Sequence, residues 1–139
     1  MSIMRAAGPT ILTVGLLAFA GQGDAQTPQG RRPVAKPLIG LELAPEMESV
    51  QGRSLCMQLT TYEPGASNTE HSHKDRPEVV YVFLGKIIDH RGDVAKEYGP
   101  GDTFTADRNT MHWMENKGTV PAVMLVTGIA NRACPAPAR

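Results

Sequence analysis

A chain of 139 residues, 41% of them hydrophobic, has room for one modest core and reads as a single domain. Its 14 Lys and Arg balance its 14 Asp and Glu. No basic field is left to grip a nucleic-acid backbone, so nucleic acid is excluded as a partner and a small, neutral or mildly charged molecule is expected.

The N-terminus does not read as part of the fold. Met1 to Arg5 carries one positive charge, the run from Thr10 to Ala20 is almost wholly apolar, and small residues close the segment. This is the pattern of a secretory signal peptide over residues 1–25, cleaved after Ala25 or, alternatively, after Ala20. The apolar run is shorter than the roughly 20 residues a membrane span needs. The mature form is therefore expected free of the membrane, in the periplasm or secreted. Residues 26–37 are rich in Gln, Arg and Pro without an apolar period and read as a flexible arm, followed by a folded domain over 38–131 and a C-terminal tail over 132–139. The two cysteines, Cys56 and Cys134, suit export, where an even count permits one disulfide. Closing so long a loop would contribute about 3 to 4 kcal/mol in the chain-entropy model. The other reading leaves Cys56 as a small buried hydrophobe and Cys134 in a frayed tail.

Within the domain, no stretch sustains a 3.6-residue period for three turns. Short apolar runs instead alternate with turn residues, which predicts strands over 54–62, 78–84, 86–89, 94–98, 102–105, 112–115 and 122–129. Turns fall at Pro64-Gly65, His90-Arg91-Gly92-Asp93, Gly99-Pro100-Gly101, Asp107-Arg108-Asn109 and Asn116-Lys117-Gly118. The class is all-β.

Three of the four histidines fall in one constellation, His71-x-His73-x4-Glu78 followed by His112. Residues two apart on a strand face the same way, so His71 and His73 can aim at one point. Glu78 stands an odd number of steps from His73, which requires a break between them. Lys74-Asp75-Arg76-Pro77 supplies it, because Pro77 removes a backbone donor and drives Arg76 from the helical region. Three imidazoles and a carboxylate suit Fe, Mn, Ni, Cu or Zn and suit Mg or Ca poorly. His90, in a turn, reads as solvent-facing, and Glu70 and Asp75 as solvated loop charges.

Gly65-x5-His71-x-His73-x4-Glu78-x6-Gly85 resembles the first motif of the cupin superfamily, and Gly101-x5-Asp107-x-Asn109-x2-His112-x3-Asn116 resembles the second. Asp107 stands where that motif usually has Pro and Asn109 where it usually has Gly. Asn accepts the left-handed conformation that such a turn asks for. The 15 residues between the motifs, 86–100, look like the spacing of small single-domain bacterial cupins. The resemblance implies a small double-stranded β-helix, a jelly-roll barrel, with His71, His73, Glu78 and His112 as ligands of a divalent transition metal. Open coordination positions would remain for water, dioxygen or substrate. Glu78 would either stay a ligand or act as the catalytic base.

Alternation predicts the cavity wall. An inward Glu78 brings Val80 and Val82 to its face, and an inward His112 brings Met114. Met57, Tyr62 and Met124 are expected to complete an apolar pocket for a small molecule. Trp113 takes the opposite phase, toward solvent or a partner, and the resemblance implies a homodimer paired through a sheet edge. For function, it implies an exported metal-dependent enzyme acting on a small molecule, of dioxygenase type. Its alternatives are a metal-dependent isomerase or lyase and a noncatalytic small-ligand or sugar-binding module.

Overall fold

Apolar alternation punctuated by turn residues produces nine strands in residues 31–137, the residues described by this computed structural model. In chain order they are β1 (Val34–Glu42), β2 (Ser54–Tyr62), β3 (His71–Ser72), β4 (Glu78–Leu84), β5 (Ile87–Arg91), β6 (Val94–Tyr98), β7 (Thr103–Ala106), β8 (Met111–Glu115) and β9 (Ala122–Ala130). One 3-10 turn, Glu48–Val50, lies between β1 and β2. One sheet has the order β1-β2-β9-β4-β7 and the other β3-β8-β5-β6. Every strand pairing is antiparallel. A single core cluster, including Tyr62, Val82, Ile87, Phe104, Met114 and Met124, draws on both sheets. This is the expected all-β jelly roll.

β1 is a correction to the reading of residues 26–37 as a flexible arm. Residues 34–37 belong to a strand, with Val34 opposite Thr61 and Pro37 opposite Gln58. Pro37 is accommodated because β1 is an edge strand and its register shifts between Pro37 and Ile39. The expected signal segment, 1–25, lies outside the described residues, as do 26–30 of the arm.

Cys56 and Cys134 are disulfide-bonded across a sequence separation of 78. The bond fastens the tail near the start of β2. It needs Gly40, the cross-strand partner of Cys56, because a Cβ there would strike the Cβ and Sγ of Cys134. A second close approach sits beside the candidate site, where a Cβ on Gly128 of β9 would strike Glu78 Cγ and the Pro77 carbonyl oxygen.

His90 is not in a turn facing solvent. It is part of β5 and lies opposite Trp113 in β8. The two rings stack at 3.8 Å between centroids with 1° between planes, and His90 Nε2 lies 2.8 Å from Glu115 Oε1. The predicted turn is shorter than expected, because Arg91 still pairs with Val94. Trp113 takes the phase opposite to His112 as expected, but His90 half covers it.

Candidate metal centre

Register brings the histidines together. His71 on β3 is the direct cross-strand partner of His112 on β8, the position at which opposed side chains are closest. His73 lies just past β3, where its amide donates to the Thr110 carbonyl at 3.0 Å. After it the chain turns sharply: Asp75 takes φ +63 and the Arg76 amide donates back to the His73 carbonyl. Asp tolerates this left-handed conformation better than most residues, and Arg53 Nη1 donates to the Asp75 carbonyl at 2.9 Å. The turn restores Glu78 to the inward phase of β4. Asn109, by contrast, does not adopt a positive φ. The second motif's turn is held instead by the Asp107 carboxylate, which accepts from the Asn109 amide at 2.9 Å and from Thr110 Oγ1 at 3.0 Å.

The ring nitrogens show which atoms are available. His71 Nδ1 lies 2.9 Å from the Thr69 carbonyl, His73 Nδ1 3.1 Å from the Arg76 carbonyl, and His112 Nδ1 2.7 Å from Asp89 Oδ1. Carbonyls and carboxylates only accept, so each Nδ1 carries the proton and donates. Each Nε2 is then a lone pair. His71 Nε2 lies 3.1 Å from His73 Nε2, which lies 2.9 Å from His112 Nε2. Three lone pairs directed at one another repel unless a cation lies between them. With metal–nitrogen bonds of about 2.1 Å, neighbouring nitrogens at a right angle stand about 3.0 Å apart and tetrahedral ones about 3.4 Å. Both observed separations match the right-angled set, which leaves other coordination positions open. The three histidines could therefore hold a metal ion.

The surroundings of His71 and His73 favour neutral rings. Burial, followed by the electrostatic influence of His112, Arg76 and His71, lowers the His73 pKa to about 4. Burial also lowers that of His71. His73 and His112 are both 1% exposed.

Glu78 lies apart from the three converging nitrogens. Its Oε2 is 3.8 Å from His73 Nδ1, the protonated side of that ring. Burial raises its pKa, against the opposing influence of Arg76 and His112. Nothing in the sequence reading singled out Asp89, yet it is 2% exposed and orients His112 through the 2.7 Å bond. Its other oxygen accepts from Arg91 Nε at 2.8 Å. Burial alone would raise the Asp89 pKa, but the bonds from His112 and Arg91 outweigh it and hold the carboxyl below its usual range. An acid sharing the inward phase of Ile87 on a buried strand was the signal available in the sequence.

A cavity of about 200 Å³ opens beside His71 and His112. Tyr62, Val80, Met114 and Met124 line it as expected, together with Gln58, Thr60, Phe104 and Val126. Two expectations need correction. Met57 is on the outer face of β2, because it stands five residues from Tyr62 and an odd step turns it away. Val82 points inward but packs in the core and does not reach the cavity. Burial pushes the Tyr62 phenol pKa up, aided by Glu78 and Asp89, so its hydroxyl stays protonated.

Comparison with known proteins places this geometry. Nectarin-1 of Nicotiana plumbaginifolia is 30% identical over 69 residues, 46% of this chain and 30% of the relative, so the match spans about a third of that protein's length. Among solved structures, a conserved protein with a double-stranded β-helix domain from Klebsiella pneumoniae is similar in fold with a TM-score of 0.56 at 19% identity, covering 78% of this chain and 85% of the other. A candidate sugar phosphate isomerase from Acidithiobacillus ferrooxidans is 31% identical with a TM-score of 0.51, covering 55% of this chain and 50% of the other. The family model for the cupin domain matches residues 58–128, half of the chain, from within β2 to within β9, the stretch that carries the histidines. The chain belongs to the cupin family.

Proposed function

We infer that this is an exported, metal-dependent cupin enzyme that acts on a small organic molecule, with dioxygen-dependent oxidation of an oxygen-rich substrate as its reaction type. One observation carries the metal reading: all three Nδ1–H groups are committed to acceptors, and two Nε2 separations of 3.1 and 2.9 Å bring the free lone pairs together. An Fe, Mn, Ni, Cu or Zn ion held there supplies Lewis acidity, and a redox-active one supplies a route for electrons.

The chain's own groups do the rest. Asp89 fixes the tautomer and tilt of His112. Glu78, its pKa raised beside the cavity, carries a proton to or from bound substrate. The Tyr62 hydroxyl donates a hydrogen bond, and Val80, Phe104, Met114 and Met124 exclude water. A second reading, metal-assisted isomerisation or elimination, is supported by the placement of Glu78 as an acid or base and by the likeness to a candidate sugar phosphate isomerase.

Metal analysis of protein purified without chelators, with oxygen uptake on catechols, flavonols and small carbonyl compounds, tests these readings. Near-stoichiometric metal with oxygen uptake is expected. Metal without oxygen uptake passes the case to the isomerase or lyase reading, and metal-free protein leaves only a noncatalytic binding module.

A homodimer belongs to the same proposal. On β9, β4 and β7 the outer face of the five-stranded sheet displays Val79, Tyr81, Thr103, Thr105, Leu125 and Thr127, with no charge among them. An uncharged patch of aliphatic, aromatic and threonine side chains suits a second copy of itself. A monomer in sedimentation at micromolar concentration would contradict this.

A further inference from the structure

A second cavity, of about 390 Å³, adjoins the first and shares Gln58, Arg76, Glu78 and Val126 with it. Its outer wall is the start of the C-terminal tail, Asn131 to Ala133 and Pro135, which the Cys56–Cys134 disulfide fastens down. Two guanidinium groups face this vestibule, Arg76 from the metal-loop turn and Arg132 from the tail, and Glu78 is the only acid lining it. Arg76 is oriented by donating Nε to the Ser72 carbonyl at 2.9 Å. Among the described residues, its Nη atoms have no partner and neither arginine sits in an ion pair. The Glu78 carboxylate leans toward His73 at the metal end. The vestibule therefore carries a surplus of positive charge, from Arg76 near the histidine cavity to Arg132 at its outer wall.

We propose that this vestibule seats the anionic end of the substrate, with Arg76 and Arg132 gripping a carboxylate or phosphate while an oxygen-bearing head points to the three histidines. The substrate class is then a small organic acid or phosphate ester. The forked guanidinium suits either oxyanion, because two parallel N–H groups match two of its oxygens. The inference rests on the metal-dependent reading and narrows it to a charge class. It also gives the tail a part in recognition, since the disulfide holds Arg132 beside the mouth of the site.

Calorimetric titration of the Mn-loaded full chain with three 2-hydroxy acids tests it. Lactate has no distal anion, malate has a distal carboxylate and 3-phosphoglycerate a distal phosphate. The expected result is that malate or 3-phosphoglycerate binds at least about tenfold tighter than lactate, the equivalent of one charge-assisted contact. The tighter of the two identifies the anion. Arg76→Gln and Arg132→Gln should each shrink that ratio toward one. Arg132, exposed on the tail, can be changed without disturbing the metal loop. Equal affinity for all three acids, no binding of either distal-anion acid, or a ratio unmoved in both variants overturns the proposal. Repeating the lactate titration on metal-free protein separates the two failures: binding indifferent to metal sinks the metal reading, while the arginine-dependent ratio reports on the vestibule alone.

Discussion

Replacing Asp89 by Asn changes almost no volume and removes one charge from beneath the histidine cluster. The wild-type carboxylate accepts from His112 Nδ1 at 2.7 Å and from Arg91 Nε at 2.8 Å, and it is 2% exposed. Both neighbours are donors, whereas an amide offers one acceptor and one donor. If the amide oxygen faces His112, its NH2 meets the Arg91 N–H head on. If it faces Arg91, His112 must move its proton to Nε2, which removes a lone pair from the cluster. Loss of such a supporting carboxylate costs about 10- to 100-fold in metal affinity, or about 1.4 to 2.7 kcal/mol. Competition against a chromophoric chelator would measure it, with circular dichroism to show that the variant is folded. A folded Asp89→Asn protein whose affinity stays within about twofold of wild type would refute the orienting role.

Four further outcomes follow from the same geometry. His73→Ala should lose most bound metal, while His90→Ala, which breaks the stack on Trp113, should retain it; equal metal content in the two would mean that the ligands are misassigned. Glu78→Gln should keep metal but lose roughly 100- to 10,000-fold in turnover, the range of general acid–base catalysis. A metal-free Glu78→Gln protein would instead make Glu78 a required ligand. Replacing both Cys56 and Cys134 by Ser should lower unfolding stability by about 4 kcal/mol in denaturant titration, given the separation of 78 residues; an unchanged midpoint would contradict this. In metal-free protein, the His73 pKa falls from an ordinary 6.5 to about 4 on folding. The unfolded chain therefore binds more protons between those values, so the contribution is complete above pH 6.5 and is lost as pH falls toward 4, by roughly 2 to 3 kcal/mol. The slope should weaken in His73→Gln.

The strands framed by turn residues were legible in the sequence. The predicted spans 54–62, 78–84 and 94–98 coincide with β2, β4 and β6, because each is bounded by Gly, Pro or Asp. β1 was hidden because an exposed edge strand shows no apolar phase and carries Pro37 and Gly40. The histidine spacing pointed to the cluster, since a two-residue step on a strand fixes the side-chain direction. The partner of His112 could not be read the same way, because Asp89 reaches it across a strand pairing set by the hairpins and their register. Met57 was misplaced against an available signal, its odd distance from the inward Tyr62. The vestibule arginines lay beyond sequence reasoning, because the tail that brings Arg132 there is positioned by the disulfide, which the cysteine count permits without requiring.

Anomalous X-ray diffraction from crystals of chelator-free protein tests the central claim most directly. The expected map has one metal peak about 2.1 Å from Nε2 of each of His71, His73 and His112. A map with no peak there from metal-replete protein, or imidazoles turned so that their Nε2 atoms no longer converge, would contradict it.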